Sequence, residues 1–87
     1  MSTEINMKIV LKKQAQKYLA AVDEPTRKKL FKALEELAQL KGDIVPLKGQ
    51  PSYYRYKIAH YRILFRWEKG SIVIEVIEIN TRTNMKY

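Results

Sequence analysis

Hydrophobic and polar residues alternate through residues 53–67, and this period of two predicts a β-hairpin. A two-residue turn at residues 59–60 places Lys57 opposite Arg62. The hydrophobic side chains of one face are then Tyr54, Tyr56, Ile58, Tyr61, Ile63 and Phe65. The basic side chains of the other face are Arg55, Lys57, Arg62 and Arg66. The first set predicts a buried face and the second a cationic face.

The predicted pairing places two cations, Lys57 and Arg62, directly opposite each other on neighbouring strands. Such a pair costs a few tenths of a kcal/mol, up to roughly 1, if no anion lies between the charges. This repulsion favours a bound anion on the cationic face. A solvated outer face, which antiparallel sheets often have, explains the same pattern without a ligand. The hairpin alone leaves both interpretations open.

The remaining periodicity predicts one strand before the hairpin, two helices, and one strand after the hairpin. Residues 7–11 alternate as a short strand, and helical patterns follow at 13–21 and from 24 to 40. Residues 43–52 contain two prolines and a glycine, which predict a linker. Residues 72–79 are apolar at nearly every position, as in a central strand covered on both faces.

The order β-α-α-β-β-β predicts an α+β fold, in which a helical hairpin packs on one face of a small antiparallel sheet. The apolar stripe predicted to be buried on the second helix consists of Leu30, Phe31, Leu34, Leu37 and Ala38. The uncovered face of the sheet would be the cationic one. Glu75 is the one acid predicted on that face, where a salt bridge to Arg55 or Arg66 is favoured over a role as a base.

Length and charge narrow the class of protein. At 87 residues the chain predicts a single domain, residues 1–87, with one modest core. Its net charge of +8 favours polyanionic partners such as nucleic acid or an acidic protein. Residues 48–87 hold eight Lys or Arg residues against three acidic ones. This excess in the β-rich half argues against a basic amphipathic helix that lies on a membrane.

The sequence also lacks several familiar signals. It has no cysteine, no apolar run that could span a bilayer and no signal-peptide pattern, so we expect a cytoplasmic protein without membrane contact. It has no glycine-rich phosphate loop and no carboxylate–histidine cluster, so we expect neither a cofactor nor a metal. The single histidine, His60, lies at the predicted turn, where a solvated residue is more common than a catalytic one.

The segments LKGQPSYYRYKI, YRILFRW and IVIEVIEINTR, followed by a C-terminal tyrosine, resemble the RelE/ParE superfamily of bacterial and archaeal toxins. The resemblance covers residues 7–87. It implies a compact sheet with a helical hairpin on one side, which agrees with the fold predicted from the residues. It also implies a toxin of a type II toxin–antitoxin pair, whose partner would be a cognate acidic antitoxin.

RelE-like members of this superfamily cleave mRNA in the ribosomal A site, whereas ParE-like members poison DNA gyrase. The residues on which the RelE branch relies correspond by position to Arg55, Lys57, Arg62, Arg82 and Tyr87. Further candidates for RNA contact are Lys48 and Arg66. This set favours the RelE branch, a metal-independent endoribonuclease that acts on the ribosome with its mRNA. A ParE-like gyrase poison and a non-catalytic RNA- or antitoxin-binding module are the alternatives.

The implied reaction is attack of an RNA 2′-hydroxyl on the adjacent phosphate, which yields a 2′,3′-cyclic phosphate and a 5′-hydroxyl. Arg62 is the predicted stabiliser of the phosphorane, because a guanidinium stays charged and can bind phosphate bidentately. Lys57 is the predicted proton carrier, since its guanidinium neighbours disfavour a further positive charge. Arg82 would be a second clamp, and Tyr87 would stack on a base or move a proton. Arg55, which stays protonated, cannot serve as the base.

Overall fold

The computed structural model describes residues 7–81, which form two helices and five strands. The helices are α1 (Lys13–Ala21) and α2 (Glu24–Leu37). The strands are β1 (Lys8–Leu11), β2 (Asp43–Pro46), β3 (Tyr53–Ile58), β4 (Tyr61–Arg66) and β5 (Val73–Thr81). They form one sheet in the order β1-β5-β4-β3-β2, and both helices contribute side chains to the core on one of its faces. The predicted α+β architecture is confirmed.

The sheet is mixed, because β1 pairs with β5 in parallel. The prediction of a purely antiparallel sheet is therefore wrong at this strand. Parallel strands need a long crossover connection, and α1 and α2 both lie within the segment that joins β1 to β5. Every other strand pair is antiparallel among the residues that the structure describes.

The segment 43–46, predicted as part of a linker, instead forms the edge strand β2 beside β3. Pro46 ends this strand at the edge of the sheet, where a residue without an N–H is tolerated. The pairing places Asp43 opposite Lys57. The linker prediction is wrong for these four residues. As a strand, they place the acidic Asp43 beside Lys57, a predicted site residue.

Helix α2 ends at Leu37, three residues before its predicted end. Leu40 has a positive φ of 54°, a left-handed conformation that stops a helix. The Lys41 N–H donates a hydrogen bond of 3.1 Å back to the Glu36 carbonyl, which closes the last turn. Neither helix is long and apolar enough to cross a membrane within residues 7–81.

The core lies between the helices and one face of the sheet. Its largest fully buried side chains are Tyr56, Phe65, Leu30, Leu37, Ile63, Ile74, Ile79 and Val76. Four members of the predicted α2 stripe are buried, namely Leu30, Leu34, Leu37 and Ala38. Phe31 is 45% exposed because it borders a groove beside β1 at the edge of the sheet. The prediction that Phe31 is buried is wrong.

The β3–β4 hairpin has the predicted register, with Lys57 opposite Arg62 and Tyr56 opposite Ile63. Its aromatic and aliphatic face lies against the helices, as predicted. We call the other face, which is turned away from the helices, the open face. On these two strands the open face carries Tyr53, Arg55, Lys57, Arg62, Leu64 and Arg66.

A β-bulge in β5 changes the parity of the last strand. Leu64 pairs with Glu78 and Phe65 with Val76, so Ile77 has no direct partner on β4. The extra residue puts Glu78 on the open face together with Glu75, although the two are three positions apart. The prediction that Glu75 is the one acid on this face is therefore wrong, because strict alternation does not anticipate a bulge.

The end of β5 is held by a side chain instead of a strand. Pairing with β1 stops at Val76, so the backbone of Ile79 lies beyond the reach of that strand. The Gln14 Nε2 atom donates to the Ile79 carbonyl at 3.1 Å, and the Ile79 N–H donates to Gln14 Oε1 at 2.9 Å. These two bonds take the place of a strand ladder at the point where β5 runs beside Arg62.

Candidate nucleic-acid interface

The open face carries three rows of side chains that run across the strands. The turn row, beside the β3–β4 turn, is Asp43, Lys57, Arg62 and Asn80. The middle row is Val45, Arg55, Leu64 and Glu78. The far row is Tyr53, Arg66 and Glu75. Directly opposed residues share a face in an antiparallel sheet, so each row is a set of side-chain neighbours.

The turn row contains two cations without a close counter-ion. Within residues 7–81 no carboxylate oxygen lies within 4.0 Å of a side-chain nitrogen of Lys57 or Arg62. Both side chains are half-buried. Asn80, opposite Arg62 on β5, donates from Nδ2 to Glu78 Oε2 at 2.6 Å. The row therefore concentrates positive charge at one end of the sheet.

Arg55 in the middle row lies between two aliphatic residues, Val45 and Leu64. The side chain is half-buried and its Nε atom is fully buried. Apolar neighbours on both sides hold the stem of Arg55 and lower the local polarity around its charge. Arg55 thus shares the open face with Lys57 and Arg62, as the alternation predicted.

Arg66 in the far row is compensated by acids. Its guanidinium contacts Glu68 at 2.5 Å and Glu75 at 3.3 Å, and Glu75 also lies 3.8 Å from Lys12 Nζ. The hydrogen bond to Glu75 and the charge of Glu68 raise the pKa of Arg66 above its usual value. The salt bridge predicted for Glu75 is present, with Arg66 as its partner. Glu68 and Glu75 therefore already compensate the charge of Arg66, which the sequence predicted as an RNA contact.

Distance along the sheet also divides the predicted site residues. Arg66 lies four residues from Arg62 on β4, which corresponds to about 13 Å. Lys48 lies in the loop between β2 and β3, at the same end of the sheet as Arg66, and is exposed. The structure therefore brings Arg55, Lys57 and Arg62 together and leaves Lys48 and Arg66 at the other end. Arg82 and Tyr87 lie outside the described residues, and their roles stay predictions.

Three polar neighbours of this site were missed from the sequence: Asp43, Glu78 and Asn80. Asp43 begins an alternating Asp-Ile-Val-Pro segment that the two prolines and glycine of the loop obscured. Glu78 and Asn80 depend on the bulge in β5. The turn histidine, His60, is exposed with its ring centroid 4.2 Å from that of Tyr61. No group of three metal-binding side chains occurs within residues 7–81.

Tyr56, on the covered face of the sheet, belongs to the core, and Tyr18, on α1, packs against it. Burial raises the pKa of Tyr56, and the Glu36 carboxylate that accepts its hydrogen bond raises it further. Burial likewise raises the pKa of Tyr18, with a smaller contribution from Tyr61. Tyr56 and the stacked pair Tyr54–Phe65 lie on the covered face and Tyr18 lies on α1, so none of these rings offers a stacking surface on the open face.

The fold and the cationic rows together define the class of protein. Residues 9–85 match the model of a family described as "ParE toxin of type II toxin-antitoxin system, parDE". The match spans nearly the whole chain, and the chain belongs to this family. It is a toxin of the RelE/ParE superfamily, as the sequence motifs predicted. No curated protein sequence is similar enough to match.

Solved structures of RelE toxins share this fold. The toxin–antitoxin complex RelBE2 from Mycobacterium tuberculosis is similar at 12% identity and a TM-score of 0.78, over 97% of this chain and 100% of that one. The isolated RelE toxin of E. coli is 22% identical with a TM-score of 0.71, over 92% and 88%. The RelB–RelE complex from Methanococcus jannaschii is 26% identical with a TM-score of 0.67, over 85% and 91%.

Proposed function

We propose that this toxin is a metal-independent endoribonuclease of the RelE kind, which cleaves mRNA in the A site of the ribosome and thereby inhibits translation. The reaction is attack of an RNA 2′-hydroxyl on the adjacent phosphate. Its products are a 2′,3′-cyclic phosphate and a 5′-hydroxyl. The ribosome and its mRNA are the partners in this reaction, which takes place in the cytoplasm.

One observation carries this proposal: Lys57 and Arg62 stand side by side on the open face, with no carboxylate of residues 7–81 within 4.0 Å of their nitrogens. Like charges directly opposite each other repel, and Asp43, which lies opposite Lys57 on the other side, offsets this repulsion only in part because its carboxylate is more than 4.0 Å from the Lys57 nitrogen. A phosphate bound between the two cations would be attracted to both, and this attraction would outweigh their mutual repulsion. Arg55 adds a third charge on the same face.

The three cations suit different parts of the reaction. Arg62 would stabilise the dianionic phosphorane, because its planar guanidinium can bind two phosphate oxygens and remains charged. Lys57 lies opposite Arg62 and would bind the same phosphate or move a proton. Arg55 would hold the neighbouring phosphate of the strand. The remaining predicted roles are a second clamp for Arg82 and base stacking or proton transfer for Tyr87.

The experiment that tests this function is induction of the toxin in bacteria, followed by primer extension on a translated mRNA. We expect new 5′ ends within translated codons and none in untranslated regions. Arg62→Ala should abolish the cuts. Lys29→Ala, which removes an exposed cation from α2, is the charge-matched control and should cut like the parent. Equal cutting by Arg62→Ala and Lys29→Ala would overturn the assignment of Arg62.

Poisoning of DNA gyrase is the second candidate function, because the matching family is described as a ParE toxin. A gyrase poison would trap cleaved DNA in a supercoiling reaction and would leave mRNA intact after induction. The two assays on the same purified protein therefore separate the two functions. A non-catalytic RNA- or antitoxin-binding module would give neither product.

The groove between α2 and β1 is the surface that we assign to the cognate acidic antitoxin. It has a volume of about 420 Å³ and a mostly apolar lining, in which two polar residues, Glu35 and Gln39, join Ile9, Leu11, Phe31, Leu34 and Ala38. Phe31 is 45% exposed there, although an aromatic residue gains most from burial. Lys28 lies three residues before Phe31 on α2 and Lys32 directly follows it, and these exposed cations would attract an acidic amphipathic segment. This placement rests on charge complementarity and on the exposed ring.

Binding of the toxin to the product of an adjacent acidic open reading frame tests the groove. Phe31→Ala should weaken binding by at least tenfold in calorimetry, because a central aromatic anchor is lost. Ile72→Ala removes another exposed hydrophobic side chain, 63% exposed, that does not line the groove. Equal effects of the two variants would place the antitoxin elsewhere.

A further inference from the structure

The turn row has an acid at one end. Asp43 begins β2 and lies directly opposite Lys57, which in turn lies opposite Arg62. Directly opposed residues share a face, so the Asp43 side chain is on the open face with both cations. Asp43 is exposed and lies more than 4.0 Å from the nitrogen of Lys57, and no Lys or Arg of residues 7–81 forms a salt bridge with its carboxylate.

We propose that Asp43 is the general base of the cleavage reaction, the group that takes the proton from the attacking 2′-hydroxyl. This inference rests on the proposed endoribonuclease function. It changes the role of Lys57, which then binds the phosphate as a cation. Neither the alternation of the sequence nor the motifs that resemble the toxin superfamily include Asp43.

The chemistry of the side chains favours Asp43 over Lys57 for this role. A carboxylate is ionised at neutral pH and can accept a proton, whereas an ordinary lysine amine is already protonated. Lys57 also has an acid on one side, Asp43, and a cation on the other, Arg62, so the repulsion from arginine is offset by an attraction.

The order of the row fits displacement at phosphorus. Neighbouring strands lie about 4.8 Å apart, so Asp43 lies about 10 Å from Arg62, with Lys57 between them. A phosphate held over Lys57 and Arg62 would present one side to Asp43 and the other to Asn80 on β5. The attacking and leaving oxygens stand on opposite sides of phosphorus in such a displacement. Asp43 can therefore act as the base for an RNA that lies with its 2′-hydroxyl on the β2 side of the row.

The step balances as follows. The Asp43 carboxylate takes the 2′-hydroxyl proton as the 2′-oxygen forms its bond to phosphorus. The bond from phosphorus to the 5′-oxygen breaks, and this oxygen takes a proton from solvent water. Asp43 then returns its proton to solvent, and the enzyme is restored. The charged groups beside Asp43 in the turn row are Lys57, directly opposite it, and Arg62, one strand further, while Glu36 contacts Tyr56 on the covered face.

Single-turnover cleavage of mRNA on programmed ribosomes tests this inference, with the parent, Asp43→Asn, Asp43→Glu and Asp23→Asn compared. Asp23→Asn is the matched control, since Asp23 is an exposed acid at the start of α2. We expect Asp43→Asn to lower the maximal rate about 100-fold or more without a change in half-saturating toxin concentration. Asp43→Glu should restore part of that rate. The parent rate should also fall on acidification, and Asp43→Asn should lose this dependence.

The outcomes separate the two proposals. A parent protein that cleaves while Asp43→Asn and Asp23→Asn cleave equally fast overturns the role of Asp43 and leaves the endoribonuclease function standing. A change in half-saturation alone also overturns it, because that result assigns Asp43 to binding. A parent protein that gives no cyclic phosphate product overturns the proposed function, and the inference with it.

Discussion

Lys57 and Arg62 are directly opposed on β3 and β4, and no carboxylate of residues 7–81 lies within 4.0 Å of the nitrogens of either side chain. Arg66, on the same strand and face as Arg62, contacts both Glu68 and Glu75. One sheet therefore holds a compensated cation at one end and two uncompensated cations at the other. The uncompensated end is where we expect phosphate to bind.

Removal of the Arg62 charge should make the free protein more stable. We expect Arg62→Gln to raise the free energy of unfolding by roughly 0.2–1 kcal/mol at low salt, because it relieves the repulsion with Lys57. The gain should shrink in about 1 M salt, where charges are screened. Urea unfolding at the two salt concentrations measures it, with Lys29→Gln on α2 as the control. A clear loss of stability in Arg62→Gln would contradict an unrelieved repulsion.

Gly42 should not tolerate a side chain. Its φ is +109°, and a Cβ atom there would lie 2.6 Å from Tyr56 Cε1 and 2.7 Å from its hydroxyl. We expect Gly42→Ala to cost about 2–4 kcal/mol of stability, from backbone strain and overpacking together.

Gly49→Ala is the control for that variant, because Gly49 also has a positive φ, +76°, but nothing within 4 Å of the added carbon. It should cost about 1–2 kcal/mol, the strain alone. Thermal or urea unfolding of both variants gives the difference. Equal losses would mean that the ring of Tyr56 moves aside freely.

The Gln14 side chain should hold the end of β5. Gln14→Leu leaves the N–H and carbonyl of Ile79 without the bonds that Gln14 makes, and we expect a loss of about 1–3 kcal/mol. Gln16→Leu removes one exposed bond to the Leu11 carbonyl and should change stability by less than about 0.5 kcal/mol. Hydrogen exchange at the Ile79 amide is the specific readout. Unchanged protection of that amide in Gln14→Leu would contradict a role of the Gln14 hydrogen bonds in holding the end of β5.

Alkali should weaken the fold through its core tyrosines. Burial and Glu36 raise the pKa of Tyr56 above its ordinary value of 10.0, so folding favours the protonated phenol. The resulting stability is fully present below pH 10 and is lost as the pH rises through the folded value. We expect the free energy of unfolding to fall above that pH, and to fall less in Tyr56→Phe. Parallel curves for the parent and Tyr56→Phe between pH 8 and about 11 would contradict this assignment.

The hairpin could be predicted from the sequence because its two faces differ in chemistry at most positions. Apart from Leu64 and the turn, rings and aliphatic residues alternate with cations from Tyr54 to Phe65, so a shift of one residue would bury the arginines. The cost of that shift fixes the register, and the observed pairing of Lys57 with Arg62 agrees with it. The clustering of Arg55, Lys57 and Arg62 on one face follows from the same alternation.

The features that could not be predicted depend on contacts between distant segments. β2 is four residues long and ends in proline, and only its pairing with β3 makes it a strand. The bulge at Ile77 is a property of two strands together, so alternation along β5 alone placed one acid on the open face instead of two. Phe31 is exposed because the sheet ends beside it. The missed strand and the missed bulge left Asp43, Glu78 and Asn80 out of the predicted site.

The central claim is that the uncompensated cations of the open face cleave mRNA on the ribosome. Its most direct measurement is incubation of purified toxin with ribosomes that hold a labelled mRNA, with analysis of both ends of the product. We predict a single cut in the A-site codon with a 2′,3′-cyclic phosphate and a 5′-hydroxyl, lost in Arg62→Ala and retained in Lys29→Ala. Intact mRNA with the parent protein, or the same cut from Arg62→Ala at the parent's rate, would contradict the claim.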